Sequence, residues 1–452
     1  MERKNAWAAY AGDDGKVEAF AKAYCDFINN GKTERECVAY GEKLAKAHGF
    51  EDLNAAVRSG RKLNAGARVY ANWMGKSFML FVLGEKPLEE GMNILGAHID
   101  SPRIDVKQNP LYEDTDLAYL DTHYYGGIKK YQWVAIPLAL HGVIVRKTGE
   151  KVSINIGEDE NDPVFCISDL LVHLAQEQMT KNAKEVVEGE ALNLIVGGRP
   201  LEGEEKDAVK ANVLKLLADK YGVEEEDFLS AELEIVPAGK ARDMGFDRSM
   251  ILAYGHDDRV CAYPSLTALF ETKAPARTCV VVLADKEEIG SEGTTGMQCA
   301  IFTDLIDAIA YSFDTTSAVI RANSKCLSAD VNAAYDPNFK DVNEPMNSTY
   351  VSCGAGLTKF TGARGKSGSN DASAEFMAEV RKMFNDEGVI WQTGELGKVD
   401  QGGGGTVAKY IAKMNIDTVD IGVAVVSMHA PYEVISKADV YEMYLACKAF
   451  MK

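Results

Sequence analysis

The amino-acid sequence predicts an α/β protein: a mixed, mostly parallel sheet flanked by helices, with an inserted β-rich second domain. Its 452 residues exceed the roughly 250–300 at which a single core stops growing, so we expect two domains. Apolar runs rich in β-branched residues alternate with helical stretches, as in a sheet buried on both faces. The segment from about residue 104 to 245 has a different pattern and is the predicted insertion.

The strands of the sheet are predicted from apolar runs that are too short for helices. The four most informative runs are Met92–Ala97, Thr278–Ala284, Cys326–Ala329 and Thr418–Ser427. Helices are predicted between or beside them, at Val17–Asn29, Glu34–Ala47, Tyr263–Thr272, Ala372–Phe384 and Thr406–Met414. This alternation assigns residues 1–103 and 246–452 to the principal domain.

The insertion, residues 104–245, begins with strand-like stretches at Val134–Val145 and Val152–Ile156. An acidic region follows, from Glu202 to Glu234. Its apolar residues recur at helical spacing, which predicts a solvated pair of helices. Nothing in this region requires chemistry.

Charge and cysteine content exclude several classes of partner. The formal net charge of -19 repels nucleic acid and anionic membranes at long range. No apolar run reaches the roughly 18 residues that a bilayer span requires, and the first residues, MERKNAWAAYAG, lack a signal-peptide pattern. Nine scattered cysteines without a C-x-x-C pair are typical of a reducing compartment. We therefore expect a cytoplasmic protein that binds neither nucleic acid nor membrane.

Metal-binding and acid–base residue types follow the predicted strands. Ligands of open α/β sheets bind beyond the carboxyl ends of the strands, where this sequence places His98, Glu287, Glu288, Asp330 and His429. Taken singly, each histidine has a structural explanation and each aspartate could cap a helix. Two of only seven histidines at separate strand ends, together with the carboxylates, favour a metal site.

Asp100 lies two residues after His98 in the stretch GAHIDSP. A metal-binding imidazole usually donates its other ring N–H to a carboxylate, which fixes the tautomer. Asp100 is therefore predicted to assist catalysis by orienting His98. An Asx turn that begins at Asp100 is an alternative, and both roles can hold together.

Two pairs of adjacent carboxylates have complementary candidate roles. One of Glu287 and Glu288 serves as a metal ligand and the other as a general base, because a base beside a metal-activated water must be near the ion without ligating it. In the stretch HDDR, a carboxylate could bridge two cations about 3.5–4 Å apart. Asp257 is the bridging candidate, although Asp258 is equally able on chemical grounds.

Five motifs together resemble a known family. The stretches GAHIDSPR, GHDDRVCA, DKEEIGSEG, SADVNAAYDPN and SMHAPYE occur in that order. The chain resembles, over nearly its whole length, the aspartyl aminopeptidase family of metallopeptidases, within the clan of co-catalytic zinc exopeptidases. Residues 125–147 and 362–375 differ from the eukaryotic members and indicate a bacterial branch.

The resemblance implies a site of two divalent ions per subunit, zinc with cobalt or manganese as alternatives. Asp257 bridges the ions, often with a cis peptide after it; His98 and Asp330 complete different metal positions with Glu288 and His429, and Glu287 is the base. The inserted domain is implied to pair subunits or act as a lid, and dimers to assemble into a dodecamer. Substrates would be peptides with a free N-terminus.

The chemistry expected of this site is aminopeptidase hydrolysis by a metal-bridged hydroxide, with Glu287 accepting the proton of the water and returning it to the leaving amine. A preference for N-terminal Asp or Glu would draw its positive charge from Lys359, Lys366 or Arg364. One alternative is a same-clan aminopeptidase with another side-chain preference, and a second is a non-catalytic scaffold on the peptidase fold. A nucleotide-binding loop at GARGKS fails, because Phe360 stands where the motif requires glycine.

Overall fold

A computed structural model describes residues 3–452. The chain forms two compact units: described residues 3–101, 241–428 and 433–452 make up the first, and residues 102–240 with 429–432 make up the second. The predicted division at 103/104 lies two residues from the observed one, and that at 245/246 lies five residues from it. The short segment 429–432, which sequence alone placed in the principal domain, groups with the insertion.

The regular elements are numbered in chain order. The strands are β1 (Glu51–Asp52), β2 (Arg68–Trp73), β3 (Ser77–Val82), β4 (Met92–His98), β5 (Arg103–Asp114), β6 (Leu117–Tyr125), β7 (Leu138–Val145), β8 (Lys151–Ile156), β9 (Leu194–Gly197), β10 (Ala231–Pro237), β11 (Arg242–Met244), β12 (Met250–Ala253), β13 (Thr278–Ala284), β14 (Lys325–Ala329), β15 (Asn332–Ala333), β16 (Ala355–Thr358), β17 (Trp391–Thr393), β18 (Asp417–Gly422), β19 (Ala424–Val425) and β20 (Glu433–Ser436). The helices are α1 (Gly15–Asn30), α2 (Glu34–Ala47), α3 (Leu53–Arg58), α4 (Ala208–Tyr221), α5 (His256–Glu271), α6 (Ile301–Ala310), α7 (Ser317–Ala322), α8 (Ala374–Glu387), α9 (Ala408–Ala412) and α10 (Lys437–Phe450).

The first unit is built on a nine-stranded mixed sheet in the order β1-β2-β3-β13-β4-β14-β18-β16-β17. Its four central strands, β13, β4, β14 and β18, are mutually parallel. All seven residues of β13 are buried, as expected of a strand covered on both faces. The predicted fold class is confirmed.

Helices cover both faces of this sheet. Alternate residues of a strand point to opposite faces, and Leu95 and Val281 belong to one hydrophobic cluster with residues of α1, α2, α5, α8 and α10. Their neighbours Ile94 and Val280 belong to a second cluster with residues of α3, α6, α7 and α9. Two separate cores therefore hold the sheet in place.

The predicted elements match closely where the apolar signal is strong, as at β13 and α2. The predicted strand Thr418–Ser427 is divided into β18 and β19, which join different sheets. The predicted helix Thr406–Met414 shortens to α9, and the helix predicted from Tyr263 begins earlier, at His256. That earlier start includes the non-helical residues Asp257 and Asp258, which helical periodicity cannot reveal.

The second unit contains a six-stranded antiparallel sheet in the order β8-β7-β10-β5-β6-β9. The predicted pair of solvated helices is wrong: α4 is followed by a 3₁₀ turn at Glu225–Ser230 and then by β10. The turn forms because the Asp227 carboxylate accepts the N–H groups of Lys147 and Glu224, which bends the acidic segment back onto the sheet. Phe228 is buried beside it.

Across the part of the chain that the structure describes, no helix combines the length and apolar character that crossing a membrane demands. All nine cysteines are free thiols.

Asp420 on β18 gives the first unit a pH-dependent stability. The side chain is buried and accepts a hydrogen bond from Thr406 Oγ1 at 2.7 Å. Burial raises its pKa from 3.8 to about 7, against the lowering effect of that hydrogen bond. The folded state therefore holds a proton that the unfolded state releases above pH 3.8, so this contribution to stability is full at low pH and is lost as pH rises towards 7.

We expect Asp420→Asn, which keeps an oxygen acceptor for Thr406, to remove this dependence. Each pKa unit corresponds to about 1.4 kcal/mol, and about two of the roughly three pKa units between the unfolded and folded values fall between pH 5 and pH 7, so the free energy of unfolding of the variant should gain up to about 2.6 kcal/mol relative to wild type between pH 5 and pH 8. Urea denaturation at fixed zinc concentration measures the difference. Asp386→Asn, on an exposed carboxylate, is the control, and parallel curves for wild type and Asp420→Asn would contradict the prediction.

Candidate metal centre

The site lies at the carboxyl ends of the central parallel strands. His98 is the last residue of β4 and pairs in register with Ala284, the last residue of β13. Asp330 directly follows β14, whose last residue pairs with Ile421 of β18. Parallel strands end at one edge of the sheet, so these side chains converge there, as the sequence predicts.

Three buried side chains form the centre of this cluster. His98 Nε2 lies 3.1 Å from Asp257 Oδ1 and 3.9 Å from Asp330 Oδ1, and one ligand atom from each residue lies within 4.8 Å of the other two. The three side chains are 1%, 5% and 10% exposed. This is the spacing expected of ligands around a single cation.

Asp258 points elsewhere, although it neighbours Asp257. Its Oδ2 accepts the backbone N–H of His98 at 3.3 Å, and the peptide bond between the two aspartates is cis. The two carboxylates have different partners: Asp257 contacts the imidazole of His98, and Asp258 contacts its main chain. Of the two aspartates, only Asp257 belongs to the groups of potential ligand atoms, and its bridging role stays a prediction.

Asp100 connects the histidine with the glutamate pair. Its Oδ1 lies 3.3 Å from His98 Nδ1 and accepts the N–H of Glu287 at 3.1 Å, while Oδ2 accepts the N–H of Glu288 at 3.2 Å. Nδ1 also lies 3.1 Å from the Asp100 carbonyl oxygen. With Nδ1 as donor, Nε2 carries the lone pair that a metal would use.

Glu287 and Glu288 begin a 3₁₀ turn that is separated from the end of β13 by two residues, Asp285 and Lys286. With His98 they form a second group whose ligand atoms lie within 4.8 Å of one another, and Glu287 Oε2 is 4.0 Å from His98 Nε2. Both glutamates thus reach the site.

The charges of the cluster suit a cation. Burial, the charge of Asp258 and those of Glu287 and Asp257 raise the pKa of Asp330 well above its usual range. Burial lowers the pKa of His98, but hydrogen bonds to Asp100 and Asp257 and the charges of Asp330 and Glu287 outweigh it, so the pKa is raised overall. Buried carboxylates that repel one another are stabilised by a divalent cation, and imidazole with carboxylate oxygens is a donor set that zinc, cobalt and manganese accept.

His429 lies in the segment 429–432, which groups with the second unit. Its backbone has φ +64°, and its Nδ1 donates to the carbonyl oxygen of Gly127 at 2.9 Å. This bond gives the ring the tautomer with a lone pair on Nε2.

Lys359 and Lys366, the predicted source of substrate charge, are both paired with Asp371. Lys359 directly follows Thr358, which pairs with Asp420 of β18. Gly422 is the last residue of β18, and this antiparallel register places Lys359 about 10 Å from it along the strand. Lys359 therefore lies away from the strand ends that carry His98 and Asp330.

Sequence reasoning missed two residues that hold Asp257. Glu433 Oε2 accepts the N–H of Asp257 at 3.0 Å, and Ser101 Oγ donates to its carbonyl oxygen at 2.5 Å. Both lie inside motifs quoted above, at the end of SMHAPYE and in GAHIDSPR. The sequence signal for Glu433 was its position four residues after His429, at the start of a largely apolar strand.

Comparison with known families shows the family to which this chain belongs. The family model described as aminopeptidase I zinc metalloprotease (M18) matches residues 27–451. The chain belongs to the M18 family of aminopeptidases. The predicted family, and the enzyme class of a metal-dependent hydrolase acting on peptide bonds, are confirmed.

Several relatives match this chain over 95% or more of its length. A probable M18 family aminopeptidase 1 of Clostridium acetobutylicum is 54% identical, covering 100% of this chain and 98% of the relative. The crystal structure of an M18 aminopeptidase from Thermotoga maritima has a TM-score of 0.95 at 45% identity, covering 100% and 99% of the two chains. A structure of the Saccharomyces cerevisiae mApe1 dodecamer shares the fold, with a TM-score of 0.77 at 20% identity, covering 95% of each chain.

Proposed function

We propose that this M18 aminopeptidase binds two zinc ions per subunit through His98, Asp257, Glu288, Asp330 and His429, and removes the N-terminal residue of peptides. The observation that carries the proposal is the convergence of His98, Asp257 and Asp330, whose ligand atoms lie within 4.8 Å. Asp257 would be the ligand shared by the two ions, because a carboxylate can bridge two cations. His429 is included because its Nδ1–H bond to Gly127 leaves Nε2 as the coordinating nitrogen.

The residues of the site divide the hydrolysis between them. When bound, the ions polarise the peptide carbonyl and lower the pKa of the attacking water. Glu287 takes the proton of that water at a carboxylate oxygen and passes it to the leaving amine. Through the contacts described above, Asp100 holds both the imidazole of His98 and the 3₁₀ turn that begins with Glu287 and Glu288. One residue therefore positions the base as well as two of the ligands.

Two further parts of the proposal concern the role of the inserted unit and the location of the enzyme. We assign the second unit to subunit pairing and to closure over the site, in a homo-oligomer built like the mApe1 dodecamer. The negative charge and the free thiols favour a cytoplasmic enzyme that acts on small peptides rather than on nucleic acid or membranes.

A panel of aminoacyl chromogenic substrates with N-terminal Asp, Glu, Leu and Lys tests the function. We expect chelation to reduce hydrolysis of every substrate by at least about 10²-fold, because the polarising cations are lost. Adding back zinc, cobalt or manganese separately should restore it and rank the metals. Absence of hydrolysis of all four substrates, with two metals bound per subunit, would overturn the proposal.

The same panel measures side-chain preference. Lys359, Lys366 and Asp371 together carry one net positive charge, which would favour an N-terminal Asp or Glu. Comparing Lys359→Gln with wild type shows whether loss of this lysine's charge changes the ratio of acidic to neutral turnover. A ratio of acidic to neutral turnover equal to that of wild type would assign the preference to other residues.

A further inference from the structure

The backbone around Asp257 is irregular and buried. Asp257 and Asp258 have non-helical dihedral angles, φ -78°, ψ 108° and φ -116°, ψ 27°, although the helix continues beyond them. The N–H of Asp257 lies in the first turn of α5, where no preceding helical carbonyl is available to accept it, and its C=O lies at the kink. Buried backbone groups that lack a partner are costly, so other groups must supply the bonds here.

Two buried side chains supply those bonds. Glu433 Oε2 accepts the N–H of Asp257 at 3.0 Å, and Ser101 Oγ donates to its carbonyl oxygen at 2.5 Å. Each side chain belongs to a residue that is 1% exposed. Glu433 is itself fixed by the antiparallel pairing of β20 with β12, where it lies opposite Ala253.

The preceding residue is held as well. His256 Nδ1 accepts the hydroxyl of Tyr24 at 2.6 Å, and its Nε2 donates to the carbonyl oxygen of Ile251 at 3.2 Å. The main chain on the amino side of Asp257 is thus restrained by side-chain contacts on two successive residues. Freedom of the Asp257 carboxylate is limited to its own χ angles.

We infer that Glu433 and Ser101 are positioning residues for metal binding: together they clamp the peptide of Asp257 so that its carboxylate faces the ions. The inference rests on the proposed function, because it needs Asp257 to be a metal ligand. Glu433 also lies four residues after His429 in the sequence, so one short segment carries both a proposed ligand and the support of another. Residues that orient ligands typically change metal affinity by 10–100-fold when removed.

The test measures zinc affinity directly, by competition with a chromogenic chelator, on the full-length protein. We expect Glu433→Ala to weaken the zinc Kd by about 10–100-fold and to lower kcat more than it alters KM. Glu433→Gln keeps an oxygen that accepts the Asp257 N–H, so its zinc Kd should lie within about threefold of wild type. Ser101→Ala should weaken zinc binding in the same direction.

Glu442→Ala is the matched control for burial. Glu442 is also 1% exposed, and its Oε2 accepts a backbone N–H, that of Ile390, at 2.8 Å. This variant should lose thermal stability but keep the wild-type zinc Kd, which separates positioning from general destabilisation.

Each outcome is decisive. A wild-type zinc Kd in folded Glu433→Ala, or equal losses in Glu433→Gln and Glu433→Ala, would overturn the clamp. If Glu433→Ala does not fold, Ser101→Ala and Glu433→Gln decide: wild-type affinity in Ser101→Ala, or a loss of 10-fold or more in Glu433→Gln, refutes it. Failure of the wild-type protein to bind zinc would instead refute the proposed function.

Discussion

Replacing Glu287 by glutamine is expected to lower kcat by about 10²–10⁴-fold while the zinc content stays at the wild-type value. Glu287 Oε2 lies 4.0 Å from His98 Nε2, close enough to the ligand cluster to take a proton from water there. Glutamine has nearly the same shape but cannot accept that proton. Because the substrate contacts are unchanged, KM should move little.

Glu288→Gln is the matched control for this experiment, since the two glutamates are adjacent and both have their backbone N–H groups bound by Asp100. The Glu288 variant should lose zinc as well as turnover, because a ligand is removed. Zinc content by mass spectrometry and steady-state kinetics on both variants distinguish base from ligand. Normal turnover in Glu287→Gln, or zinc loss in that variant alone, would reverse the two roles.

The centre of the sheet could be predicted because its strands are buried on both faces. In β13 every residue is apolar or small and the run ends sharply before Asp285, so both the strand and its carboxyl end were visible in the sequence. The positions of His98, Glu287, Glu288 and Asp330 followed from the ends of such runs. Side chains from three distant parts of the sequence could therefore be placed together without coordinates.

Helices that bury charged side chains could not be predicted from apolar runs. Helix α10 has eleven of its fourteen residues buried, among them Lys437, Asp439 and Glu442. Lys437 is buried because it pairs with Glu18 and Asp243, partners that no local pattern reveals. A helix buried on nearly all sides shows no single apolar stripe.

The supporting contacts of the site were unpredictable for a related reason. Glu433 acts through a backbone N–H, and any residue can offer that group, so no pairing of side-chain types marks the contact. Lys359 and Lys366 illustrate the converse: their charge was read from the sequence, but their shared partner Asp371 depends on how the loop after β16 folds. Long-range and backbone contacts are set by tertiary structure.

The largest loss of metal is expected from Asp257→Asn. Its Oδ1 lies 3.1 Å from His98 Nε2, within the group that also contains Asp330, and a bridging carboxylate serves both ions. An amide offers only one neutral oxygen, so we expect the zinc Kd to rise at least about 100-fold and turnover to fall by 10³-fold or more.

Asp258→Asn is the matched control for this prediction, because it changes the adjacent carboxylate in the same way. Asp258 Oδ2 accepts the backbone N–H of His98, and the amide oxygen of asparagine can accept the same bond. Zinc affinity of Asp258→Asn should therefore stay within about tenfold of wild type, since only support of a ligand, and no ligand itself, is perturbed. Chelator competition and metal analysis on the two variants compare them directly. Retention of zinc by Asp257→Asn together with its loss from Asp258→Asn would move the bridging role to Asp258 and would also remove the reason for a clamp at Glu433.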